Sequence, residues 1–283
     1  MSWAVVARKD FQDAIRSRAL WGLSVVFLLL VGGVAVLYAS LDEISGGDPT
    51  AVGLIFFVAS AIGLFVSVAA IVTCYKAIAG EREVGSMKIL LSLPHTRRDV
   101  IIGKLVGRTA VLAVPIVVAL LVGAFAGTAL LGEIAPVATI LFGAVGLLFA
   151  LTYAGIMVGL SATTGSTTRA AALAIGFLLV FEFLWDIVIL ALVYVANGFV
   201  FPSATADFPA WIYPVSQIPP SSAFVTSLTA VIPDAPMQAS GNVPTADAFE
   251  AFFTTPWIGV VALVLWTVVP IVLGYWRFQA ADL

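Results

Sequence analysis

The 13 lysines and arginines of this chain lie before the first, between the second and third, between the fourth and fifth, or after the last of six long apolar runs, with Arg108 just inside the start of the third. The runs cover about residues 19–41, 51–75, 105–131, 137–162, 171–196 and 257–276. Each is long enough to cross a hydrocarbon layer as a helix, which takes about 20 residues. The basic residues stand at 8, 9, 16 and 18, then at 76, 82, 88, 97, 98, 104 and 108, then at 169 and 277. The intervening connections carry eight acidic residues and no basic one. Lys and Arg accumulate in the cytosolic loops of membrane proteins, so the pattern predicts six spans with both termini in the cytosol.

Composition supports the same class. Apolar residues make up 61% of the chain and charged ones 10%, against roughly 25% charged in soluble domains. The expected fold is therefore an all-α integral membrane protein, one transmembrane domain over residues 1–283. One cysteine, Cys74, excludes an internal disulfide framework and a cysteine-based metal cluster. No GxxxxGK[ST] run exists, so the chain holds no nucleotide by a P-loop. The lone histidine, His95, sits in a polar turn far from any membrane serine. Ser/His proteolysis and histidine-ligated haem or copper thus lack their parts. No metal and no nucleic-acid partner are expected.

Residues 2–18 read as a helix lying in the membrane interface. Trp3, Ala7, Phe11 and Ala14 or Ile15 share one face, with Arg8, Lys9, Gln12, Asp13 and Arg16 away from it. The long segment 197–256 carries nine of the 14 prolines, yet it also holds an apolar patch of Trp211, Ile212, Tyr213, Val215 and Ile218. A short helix follows Pro219-Pro220-Ser221, with Phe224, Leu228 and Ile232 on one face. This segment is expected to be interfacial or partly re-entrant over the outer mouth. Gly103/Gly107, Gly123/Gly127 and Gly155/Gly159 have the spacing that permits close helix contact.

Two places carry chemistry. In FEFLWDIV of the fifth run, Glu182 and Asp186 are four apart, hence on one helical face near mid-span. No Lys or Arg lies at that depth. The two acids are therefore either protonated and hydrogen-bonded, or they line an aqueous path or a subunit interface. The other place is the coupling segment 80–104, GEREVGSMKILLSLPHTRRDVIIGK, between the second and third runs. Val84, Met87, Leu90 and Leu91 recur at helical spacing, while Glu81, Glu83, Lys88 and Ser92 lie mostly elsewhere on the wheel. Pro94 should end that helix, and Thr96 with Asp99 should cap the next.

The segment resembles that of the membrane subunits of ABC-2 type transporters: an acidic-basic-acidic triplet, then Gly and a small hydroxyl residue, then LLSLP, basic residues and GK. Ser86 stands where that pattern usually has Thr. The topology matches along the whole chain, and the nearest branch is that of the NosY-like permeases. The resemblance implies that the segment is a cytosolic coupling helix docking into a groove of a separate ATPase subunit. Val84, Met87, Leu90 and Leu91 would then supply buried contact. Glu81, Arg82, Glu83 and Lys88 would supply polar pairs around it, and Gly85 and Ser86 would complete the element. Glu81 and Glu83 favour a protein partner over anionic lipid. It further implies an exporter in a prokaryotic plasma membrane, with two permease copies and with ATP and Mg2+ bound by the partner. The alternatives are an ion-coupled secondary transporter using Glu182 and Asp186, and a non-transporting membrane maturation factor.

Overall fold

The computed structural model describes residues 2–40, 49–93, 96–200, 211–233, 235, 253 and 255–281. The expectations placed on Pro94 and His95 lie outside these residues, as do residues 201–210, 234, 236–252 and 254 of the long segment 197–256. Among the described residues every regular element is helical, and six helices are long and apolar enough to cross a membrane.

The chain begins with α1 (Ser2–Ile15) and turns directly into α2 (Arg18–Ser40), the first candidate span. Next comes α3 (Ala51–Cys74), whose first turn is capped by the Thr50 hydroxyl accepting from Gly53 N. Two short helices follow, α4 (Ala79–Glu83) and α5 (Ser86–Ser92). The third span, α6 (Arg97–Ala126), opens on the expected capping box between Thr96 and Asp99 and closes on a π-helical turn, Gly127–Leu131. Pro136 stands in the first turn of α7 (Pro136–Ala162). There its fixed φ suits the helix and its missing N–H costs nothing. The fifth candidate span is interrupted: α8 (Thr167–Leu178), a π-helical turn Leu179–Leu184, then α9 (Trp185–Ala196). Two further helices, α10 (Ile212–Ser216) and α11 (Pro220–Val231), in the segment expected at the outer mouth, precede the last candidate span, α12 (Trp257–Gln279).

The core forms where α7 meets α3, α6, α11 and α12. Phe149 and Phe224 stack there with centroids 4.4 Å apart, and Tyr153 stands edge-on to Phe149. Phe224, Leu228 and Ile232 are all buried, so the predicted apolar face of α11 is used, and used deep in the bundle.

Glycine spacing works unevenly. A Cβ on Gly159 would lie 2.4 Å from the Pro270 carbonyl oxygen, so α7 and α12 cross backbone to backbone. A Cβ on Gly103 would lie 2.6 Å from Val6 Cβ and 2.7 Å from the Trp3 carbonyl, so α1 lies directly on α6. Gly123 meets nothing within 4 Å, and Gly127 faces only the Glu133 carbonyl of the following turn. That third pair has the spacing without the contact.

The helix α1 uses most of the face expected, with Ala7 and Ala14 buried, Phe11 and Ile15 packed beside Ala14, and Arg8, Lys9, Gln12, Asp13 and Arg16 exposed; Trp3 departs from it. Val6, Ala7, Asp10 and Ala14 are buried against α6, whereas Trp3 is exposed. The stem of α6 supplies no side chain at Gly103 and Gly107, so the small and short residues of α1 fit there and the indole does not.

The fifth span is the least covered. Only 6% of its most apolar window is buried, compared with 67% for the fourth. Leu179, Phe183, Leu184, Ile187 and Leu190 all point away from the chain.

Candidate functional site

At the end of the bundle that carries the basic residues, α4 and α5 form a corner. Gly85 makes it, with φ +74°, a conformation that glycine adopts without the strain a side chain brings. A single amphipathic helix from Val84 to Leu91 was expected, and the left-handed residue resets the helical wheel between Val84 and Met87. The apolar set is therefore split. Met87 is fully buried among Ile78, Val100, Ile101 and Phe278, with Leu90 and Leu91 packed on the same cluster. Val84 is 77% exposed, as are Ile89 at 70% and Leu93 at 51%. The outward ridge is thus Val84, Ile89 and Leu93, beside exposed Lys88; Met87, Leu90 and Leu91 hold the segment onto the chain.

The acidic-basic-acidic triplet is also engaged within the chain, so its carboxylates no longer argue between a protein and a lipid surface. Lys104 Nζ donates to Glu81 Oε1 at 2.8 Å. The Arg82 guanidinium donates to the carbonyls of Ala162 and Thr164 at 3.3 and 3.0 Å, at the C-terminal end of α7 where unpaired carbonyls and the helix dipole favour a cation. Glu83 accepts from the Thr167 amide at 3.1 Å, at the N-terminal end of α8, where the same dipole favours an anion. The Ser161 hydroxyl accepts from the amides of Ile78 and Ala79, which satisfies two donors just ahead of α4. Ser86 Oγ donates to the Glu81 carbonyl. Three successive charged residues therefore tie one short helix to three long ones.

Beneath the triplet lies a buried charge cluster that the sequence reading missed. Lys104 also reaches Asp10 Oδ1 at 3.3 Å, and Arg108 Nε lies 2.7 Å from Asp10 Oδ2. Arg108 bonds the carbonyl of Thr73 at the end of α3 as well. The Lys104 and Asp10 side chains are nearly sealed from solvent. Two acids and two bases balance, which is what a group of charges needs to stay ionised away from water. The signal was present as GKLVGR: two Gly-base pairs four apart put two bald positions and two cations on one strip of α6, ready for a small-residue helix bearing an acid. Nearby, Arg97 spans the C-terminal turn of α12, donating to the carbonyls of Phe278, Gln279 and Ala281 with its guanidinium 5.4 Å from the Phe278 ring centroid.

Glu182 and Asp186 do not share a surrounding. Glu182 falls inside the π-helical turn, which shifts the register expected of a regular helix. Its carboxylate accepts from the Tyr153 hydroxyl of α7 and from Ser221 at the start of α11. Asp186, one turn on, is exposed on the uncovered side of the fifth span. Trp185 donates to the Val215 carbonyl at 3.0 Å and Trp266 to that of Ile218 at 2.7 Å, so the fifth and sixth spans together hold the α10–α11 segment down. Among the described residues no group of His, Cys, Asp and Glu could hold a metal ion.

Known proteins share this sequence pattern. The family described as ABC-2 family transporter protein matches residues 4–283. The chain is 29% identical over 203 residues to the "Probable ABC transporter permease protein NosY" of Pseudomonas aeruginosa, covering 70% of this chain and 73% of that one. It is 31% identical over 199 residues to the protein of the same name from Stutzerimonas stutzeri, covering 68% and 71%.

Proposed function

The chain belongs to the ABC-2 family of transporter proteins, and from that premise we propose that it is the permease through which a separate ATPase subunit drives a solute outward across a prokaryotic plasma membrane. The basic end faces the cytosol and the outer helices α10 and α11 face the other side, in keeping with the charge distribution. ATP and Mg2+ belong to the partner. The corner of α4 and α5 is the coupling helix region.

The observation that carries this reading is the division of labour within residues 80–93. An element that receives force has to be exposed on one side and immovable on the other. The ridge of Val84, Ile89 and Leu93 is bare, while Glu81, Arg82, Glu83 and Met87 fix the same short segment to α6, α7 and α8. A displacement of the ridge is therefore passed to three spans together. Through Lys104 and Asp10 it also reaches α1, which moves with the stem of α6.

Two copies complete the transporter, with the poorly covered fifth span and Asp186 turned toward the second copy. Glu182 acts as a tie between the fifth span and α11. Alternating exposure of a central path then requires that tie and its neighbours to shift when the two permeases rock.

The test is co-purification with a co-expressed candidate ABC ATPase. Ile89→Asp should reduce association at least about tenfold without lowering the melting temperature of the permease, because the side chain is solvent-facing. Retention of ATPase binding and of its stimulation by Ile89→Asp together with Val84→Asp would remove the coupling role.

A further inference from the structure

Five carboxylates lie at the basic end among the described residues, and each is engaged within the chain. Asp10 sits between Lys104 and Arg108, Asp13 pairs with Lys9, Glu81 pairs with Lys104, Glu83 accepts the Thr167 amide and Asp99 closes the capping box on Thr96. The cations are divided differently. Arg82, Arg97, Lys104 and Arg108 are spent on internal contacts, whereas Lys76, Lys88, Arg98 and Arg169 are exposed and form no salt bridge among the described residues. The general excess of bases on a cytosolic face explains their presence. It does not explain why each acid beside them is engaged by a partner within the chain, Asp10 and Glu81 by drawing inward and Asp13, Glu83 and Asp99 nearer the surface. The outcome is a corner whose acids are all partnered and whose exposed charges outside any salt bridge, among the described residues, are cationic.

Depth decides what can cover it. The helix from Arg97 to Leu131 has 35 residues, about 52 Å, and the hydrocarbon layer takes up only about 30 Å of that. Met87 packs on Val100 and Ile101, and Ile101 stands about 10 Å of helix beyond Arg108. The exposed ridge is therefore beyond the reach of lipid tails. Its three aliphatic side chains also lack the Trp and Tyr that anchor interfacial helices; α1 and α2, by contrast, expose Trp3 and Trp21. A protein surface is the cover that fits.

Building on the coupling role proposed above, we infer that the ATPase subunit receives α5 in a pocket with an apolar floor for Val84, Ile89 and Leu93 and a rim of carboxylates for Lys88 and Arg98. The floor supplies affinity by removing aliphatic surface from water. The rim supplies orientation and association rate, and because it is solvent-exposed it makes binding sensitive to salt. A pocket with a neutral or basic rim would leave two cations against it without partners, so the rim also selects this permease over one with an acidic corner.

The experiment measures binding of the co-expressed ATPase to the permease in phosphatidylcholine nanodiscs at low and high salt. Wild-type affinity should fall about tenfold or more as salt rises. Lys88→Glu with Arg98→Glu should weaken binding at low salt by a similar factor and flatten the salt dependence, while Lys88→Arg with Arg98→Lys should restore both. Ile89→Asp should abolish binding at either salt. If the charge-reversed variant binds like wild type, or keeps the steep salt dependence, the acidic rim is wrong while the coupling role stands. If wild type binds no ATPase, or Ile89→Asp binds normally, the coupling role itself falls and the rim with it. If charge reversal instead removes only adhesion to phosphatidylglycerol vesicles and leaves ATPase affinity unchanged, the cations serve the membrane and the inference is overturned.

Discussion

The Lys104 ammonium lies 2.8 Å from the Glu81 carboxylate, joining a short exposed helix to the foot of a membrane span. The same ammonium holds Asp10 of the first helix, so one side chain connects three elements that are far apart in sequence. Removing it would leave Glu81 without its cation and Asp10 dependent on Arg108 alone. Lys104→Met should destabilise the detergent-solubilised protein by about 3 kcal/mol, with Lys104→Arg recovering part of the loss. Thermal unfolding of the two variants beside wild type checks this.

Gly103 and Gly123 make a paired test of backbone contact. An alanine at Gly103 drives its Cβ into Val6 and the Trp3 carbonyl, and a carbonyl cannot be moved aside like a flexible side chain. Gly103→Ala should loosen α1 from the stem, costing about 1–3 kcal/mol, and expose residues 2–15 to limited proteolysis. Gly123→Ala enters open space and should be neutral or stabilising by about 0.5–1 kcal/mol through helix propensity.

Arg97 satisfies the last carbonyls of α12 from a helix elsewhere in the chain. Hydrogen bonds from a charged donor contribute about 1.5–3 kcal/mol. Arg97→Ala should therefore fray the final turn, and amide exchange around Gln279 should accelerate by at least about tenfold while exchange in the middle of α7 stays unchanged. Uniform acceleration along the chain would point to global destabilisation instead.

Glu182→Gln preserves an acceptor of similar size for Tyr153 and Ser221, whereas Glu182→Leu strands both donors. The leucine variant should lose about 2 kcal/mol more than the glutamine variant. Asp186→Asn, on the uncovered side of the span, should leave the melting temperature of the single chain unaltered and act on pairing of two copies, read by cross-linking through Ile187→Cys. Equal effects of both positions on stability would contradict their separate surroundings.

Long uncharged runs and the placement of Lys and Arg made the six helices legible, because the length of an apolar run is a one-dimensional property. Capping was legible for a similar reason: Thr96 and Asp99 are three residues apart and need nothing beyond their own turn. The site was harder because it depends on where a periodic pattern is interrupted. Gly85 enters the left-handed region and the wheel restarts, so Val84 and Met87 separate although their spacing is helical. The π-helical turn at Leu179–Leu184 similarly parts Glu182 from Asp186. Asp10 escaped notice because its partners lie on the third span, and a single acid in an amphipathic helix has an ordinary place on a solvated face.

The left-handed corner at Gly85 also sets a rule for exchanging parts. Ile89 and Leu93 of the ridge follow Gly85, Val84 and the charged anchors Glu81, Arg82 and Glu83 precede it, and the angle between the two parts belongs to that one glycine. A chimera that imports the ridge from another permease without that glycine would keep every docking side chain and aim them in the wrong direction. On the coupling role proposed above, compatibility between this permease and a foreign motor would be a matter of one torsion angle as much as of matching surfaces.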